Sequence, residues 1–229
     1  MKHIRKGREP AELRKWRLAN KSTPQNLRYQ NVPKTALVAI RIALLKEQGF
    51  LCAYTMMRVA DLRNGHIEHI QAQSVKRELQ VDFSNMVYCH PGDGAPHCSF
   101  GAHAKDGKAL EAGRFVSPFD ATCEARFTYL ENGGVSAAFV NDEAAKNTID
   151  LLRLGDAVLV KARGAVIRTL PIFDRSKPHI SSRHAARLAS NVLMREGDGR
   201  FREYAVALNQ VMARYAKRRA AKEAAISAR

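Results

Sequence analysis

The chain has 229 residues, 45% of them apolar, which suffices for one compact catalytic unit with a smaller lobe and excludes general disorder. No apolar run approaches the roughly 18–20 residues that span a bilayer, and no apolar stretch follows the basic opening Met1–Arg8, so a cytoplasmic protein with no membrane partner is expected. A formal charge of +16, from 38 Lys and Arg against 22 Asp and Glu, favours a nucleic-acid partner through counterion release, without distinguishing DNA from RNA.

Residues 1–35 are polar and basic, punctuated by Pro10, Pro24 and Pro33, and read as a basic N-terminal arm with one short helix near Glu12–Ala19. Apolar periodicity predicts a helix over Thr35–Gln48, with Gly49 ending it at C′. Residues 36–115 then form a core unit whose later part is loop-rich, with short strand-like pieces, many His and Gly, and Cys52, Cys89 and Cys98. Without an export signal, these thiols suit metal binding or burial better than disulfides, and Cys123 reads as a buried small hydrophobe.

From residue 116 the texture changes to a lobe running to Arg229. Two alternating runs, Arg126–Leu130 and Val135–Val140, flank Glu131-Asn132-Gly133-Gly134 and predict a hairpin. Asn141 or Asp142 caps a helix over 143–153; a second fits 155–170 before Pro171, and two more fit about 182–196 and 199–226. Arg163 and Arg168 read as a solvated helix face, His179 and His184 as cap or surface residues, and Arg214–Arg229 as a basic helical tail. The expected class is α+β and helix-rich.

The segment that carries chemistry is Gly65-His66-Ile67-Glu68-His69-Ile70, followed by Asp82-Phe83-Ser84-Asn85-Met86 and then Cys98-Ser99-Phe100-Gly101-Ala102-His103-Ala104-Lys105. A carboxylate beside a His, an Asn 16 residues on and a His 18 beyond that is the ordering of a ββα-metal (HNH) nuclease core. Phosphodiester hydrolysis needs a base near the attacking water and a divalent cation to stabilise developing charge. A neutral imidazole meets the first need, and a Glu oxygen suits Mg²⁺ or Mn²⁺ for the second. Adjacent strand residues face opposite ways, so both Glu68 and His69 reach one phosphate only if the strand ends there. Five of the eight His fall within 66–103, beside Cys89 and Cys98, so a structural zinc site is a competing reading.

At these residues the sequence resembles the retron- and Septu-associated HNH endonucleases, the nuclease partners of an ABC/SMC-like ATPase in bacterial anti-phage defence. The resemblance runs from Met1-Lys2-His3-Ile4-Arg5-Lys6 through Cys52-Ala53-Tyr54 and Ile67-Glu68-His69-Ile70 to Asn147-Thr148-Ile149-Asp150-Leu151-Leu152, covering about residues 1–168. It implies His69 as general base, Glu68 as acidic metal ligand, Asn85 as the brace of the loop carrying the base, His103 as the helix-borne cation ligand and Lys105 as a phosphate contact. It also implies an ATPase subunit and, in retron systems, a reverse transcriptase with its RNA–DNA as partners. The family frames its site with zinc-binding Cys pairs; here Thr55 stands where the second thiol of the first pair belongs, leaving Cys52, Cys89 and Cys98, with His90 or His97 to complete a tetrahedral Zn²⁺ set. DNA is the favoured target and RNA (tRNA included) the second, and a non-catalytic zinc-knuckle nucleic-acid-binding module is the alternative.

Overall fold

Pro10 and Pro33 each stand immediately before a helix, where a fixed φ and a missing N–H cost nothing. They open α1 (Ala11–Ala19) and α2 (Lys34–Glu47) of the computed structural model, which describes residues 1–174, 176 and 179–228. Arg229, the end of the expected basic tail, lies outside the described residues. Helix α2 buries Ala36, Ile40 and Leu44, one face at a spacing of four, together with Leu45. Gly49 ends the run with φ +56, and its missing side chain also admits the Phe201 ring, which a Cβ would meet at 2.3 Å.

Strands β1 (His66–His69) and β2 (Met86–Cys89) pair antiparallel, with His66 opposite Cys89 and His69 opposite Met86. The one-turn helix α3 (Ala102–Lys105) follows. The hairpin falls where the alternating runs predict it, as β3 (Phe127–Tyr129) and β4 (Val135–Ala137). Helices α4 (Glu143–Leu151) and α5 (Ala157–Ile167) come next, with Asp142 and Asp156 accepting from backbone N–H groups of their first turns. Helix α6 (Ser182–Asn191), capped by Ser181, packs on α7 (Ala205–Ser227). Helix α7 starts six residues later than its composition suggests. The N–H groups of Phe201 and Tyr204 are given to Gly49 and Met56 carbonyls, and Tyr204 takes a left-handed φ of 53.

The chain is thus α+β and helix-rich, with two two-stranded antiparallel sheets among the described residues. Met1, Ile4, Leu13 and Val32 join the same buried cluster as α2, both sheets and α7. The expected basic arm is therefore corrected in part. Ile4 donates its N–H to the Pro118 carbonyl at 2.8 Å, and the Glu47 carboxylate takes both the Lys6 ammonium (2.9 Å) and the Gly7 N–H (2.7 Å). Four apolar side chains and these bonds outweigh the solvation preference of the intervening cations.

Arg163 is a second correction: it is buried, not on a solvated face. Its guanidinium donates to the carbonyls of Gly133 (2.6 Å) and Leu154 (3.1 Å) and lies over the Tyr129 ring at 5.2 Å. Backbone dipoles and a π face stand in for a carboxylate, while desolvation lowers its affinity for the proton.

Candidate active site

Burial alternates along β1: Ile67 and His69 turn inward, His66 and Glu68 lie on the more open face. The strand ends at His69, as a shared phosphate would require, yet Glu68 and His69 find separate surroundings. His69 is 4% exposed and enclosed by Tyr29, Gln73 and Gln80. Its Nε2 lies 2.9 Å from the Gln80 carbonyl, which can only accept, so Nε2 carries the proton. Nδ1 is then the basic nitrogen, and it accepts from the Gln73 side-chain amide at 3.1 Å. The edge of Tyr29 closes the ring face, with centroids 5.0 Å apart. Burial, with the Lys105 charge nearby, holds the imidazole below its ordinary pKa and keeps it neutral.

Asn85 is 6% exposed and grips the chain just beyond His69. Its Oδ1 accepts from the Gln71 N–H (2.8 Å) and its Nδ2 donates to the Gln71 carbonyl (3.0 Å), while the Ile70 N–H bonds to the Asn85 carbonyl (2.8 Å). These contacts brace the loop that follows His69. Asp82 initiates the turn that delivers Asn85 by accepting from the Ser84 N–H.

Lys105 departs from its expected place. It is 1% exposed, and its ammonium donates inward to Glu68 Oε1 (2.6 Å) and the His69 carbonyl (2.9 Å), so it does not present its charge to a phosphate outside. Burial raises the Glu68 pKa and the Lys105 charge opposes that rise. Lys105 thereby ties α3 to the end of β1 and occupies one oxygen of the expected metal ligand.

His103 sits between two other imidazoles. Its ring stacks on His66 (centroids 5.4 Å) and on His97 (5.3 Å), and its Nδ1 accepts from the Cys98 N–H at 3.0 Å. Burial and the neighbouring His66, His97 and His90 lower its pKa. His66 bonds through Nδ1 to the Pro91 carbonyl at 2.6 Å, which leaves its Nε2 as the lone-pair nitrogen. His66 shares a strand face with Glu68 by the period of two, a signal in the sequence that could have drawn it into the site. Tyr29, Gln73 and Gln80 carry no such signal, because side chains this distant in sequence or this ordinary in type are placed only by the fold.

The thiols divide. Burial would raise the Cys52 pKa, but hydrogen bonds from Cys89 and Thr55 outweigh it and hold it well below the ordinary range; burial and Cys52 push Cys89 well above. Cys98 is only half-buried, and Cys123 is buried as expected. Among the described residues, no three His, Cys, Asp or Glu side chains are grouped closely enough to hold an ion. Cys52 is instead engaged by hydrogen bonds with Cys89 and Thr55.

No protein-family model matches the chain, and no curated protein matches it.

Proposed function

We propose that the chain is a metal-dependent HNH-type endonuclease that hydrolyses nucleic-acid phosphodiester bonds. The observation that carries the reading is His69: a neutral, buried imidazole with a fixed tautomer, on a loop clamped by Asn85, in a strand–strand–helix order. A base that must take a proton from water near neutral pH needs a lone pair held in one orientation, and Gln80 and Asn85 supply that. Nδ1 becomes available when the Gln73 amide yields its place to the attacking water. Glu68 and His103 would hold a divalent cation, which when bound would stabilise charge on the phosphate and the leaving oxygen. The Glu68 carboxylate and the His66 imidazole on the same strand face, on which His103 stacks, are donors suited to Mn²⁺ or Mg²⁺, and Lys105 fixes the orientation of Glu68. Action beside an ABC/SMC-like ATPase in anti-phage defence belongs to this proposal through the resemblance alone.

The test is cleavage of plasmid DNA and of total RNA, with Mn²⁺ or Mg²⁺ and with EDTA, by the chain alone and with its neighbouring gene products. His69→Ala is expected to cut at least about 100-fold more slowly while binding substrate normally. Undiminished metal-dependent cleavage by that variant removes the proposal. One observation favours a second reading, a non-catalytic nucleic-acid-binding module: Lys105 already occupies Glu68. Binding without any cleavage by the parent protein would support that module instead.

A further inference from the structure

A cleft of about 580 Å³ lies beside the site and is unused by the chemistry above. Arg17, Arg28 and Arg77 line it, with Leu27 and Val81 as apolar floor and Gln80 as the wall nearest the base. Gln80 is the residue whose carbonyl holds His69 Nε2, and its side-chain oxygen takes the Tyr29 N–H at 3.3 Å. One residue thus separates the cleft from the imidazole.

The charge of the cleft is only partly compensated. Arg17 is paired with Glu9 at 2.8 Å, and Glu78 at the rim stands 4.0 Å from Lys76. Arg28 and Arg77 are exposed and have no ion-pair or hydrogen-bond partner for their guanidinium groups among the described residues. Two free guanidinium groups, which match phosphate oxygens bidentately, face one polar furrow with an apolar floor. The volume suits one sugar–phosphate backbone and is far too small for a duplex, whose major groove alone is about 12 Å wide.

We propose that this cleft binds one nucleic-acid strand by its phosphates, with Arg28 and Arg77 each neutralising one phosphate and leading the strand to His69. The cleft rests on the nuclease reading for its purpose and not for its chemistry, so the two fail separately. Binding is measured with the full-length His69→Ala protein and labelled single-stranded DNA and RNA oligonucleotides between about 50 and 200 mM salt. Arg28→Glu/Arg77→Glu is expected to weaken binding at least about tenfold and to flatten the log Kd–log salt slope by about 1.4, at roughly 0.7 per phosphate. Lys217→Glu/Lys222→Glu on α7, the same change in net charge, is expected to leave both quantities unchanged. The DNA and RNA arms show which sugar the cleft accepts.

Parent-like affinity in the Arg28/Arg77 variant overturns the proposal, as does equal weakening by the α7 variant or failure of the parent to bind either oligonucleotide. Circular dichroism shows whether each variant is folded. If the Arg28/Arg77 variant does not fold, Arg28→Gln/Arg77→Gln, which keeps length and polarity, is expected to show the same flattened slope, and an unchanged slope there overturns the proposal. Cleavage that survives His69→Ala sinks the nuclease reading and leaves the cleft result standing.

Discussion

At the scale of single residues, His69 is held in one tautomer by partners that a protonated ring would not suit. The Gln80 carbonyl takes the Nε2 proton, and Nδ1 must keep its lone pair to accept from Gln73. Its folded pKa lies below the ordinary 6.5, by burial first. Below about pH 6.5 the unfolded chain gains a proton that the folded chain refuses, so stability falls with pH until the lowered folded value is passed. Urea titrations from pH 7.5 to 5 in EDTA are expected to show this loss in the parent and less of it in His69→Gln. Equal acid sensitivity in both would mean that His69 is not the group responsible. That His69 and Asn85 belong to one local constellation was legible in the sequence, because their spacing is a short-range pattern. The inward turn of Lys105 was not, since a Lys in a one-turn helix is usually solvated and only the fold brings it to Glu68.

At the scale of elements, the hairpin turn and α5 approach so closely that neither has room for a side chain. A Cβ on Gly164 would stand 2.5 Å from the Asn132 carbonyl oxygen, and one on Gly133, at φ +92, 2.1 Å from that of Val160. Gly→Ala inside a helix ordinarily stabilises by about 1 kcal/mol. Here the clash is with backbone and cannot relax by a rotamer change, so Gly164→Ala is expected to destabilise by about 2 kcal/mol, or some 4–8 °C in Tm. A rise in Tm would show that the turn can withdraw. The turn itself was readable from Asn132-Gly133-Gly134 between alternating runs. That Gly164 exists to receive it was not, because a helical Gly looks the same whether it faces solvent or another backbone. Arg163, one residue earlier, was misread for the same reason: its partners, the Gly133 and Leu154 carbonyls, belong to other elements.

At the scale of the molecule, one buried cluster runs from Met1 to Ala216, so the three segments suggested by composition share their stability. The single Trp, Trp16, lies on α1 within the supposed arm and packs partly buried against that cluster. Urea unfolding followed by its fluorescence is expected to coincide with the loss of helical circular dichroism, which the C-terminal helices dominate. An earlier fluorescence transition would mean that the N-terminal segment melts alone. Charge density made this segment look like a solvated arm, whereas Leu13 and Ile4, two residues in a basic stretch, decide where it goes.

The Gln73 amide on His69 Nδ1 has a consequence for how quiet the resting protein is. A neutral hydrogen bond contributes about 1 kcal/mol net, which covers the base only about fivefold more often than it leaves it bare. On the nuclease reading, such a cover is a leak and not an off switch. Under that reading, quiescence has to come from something other than the side chain that shields the ring.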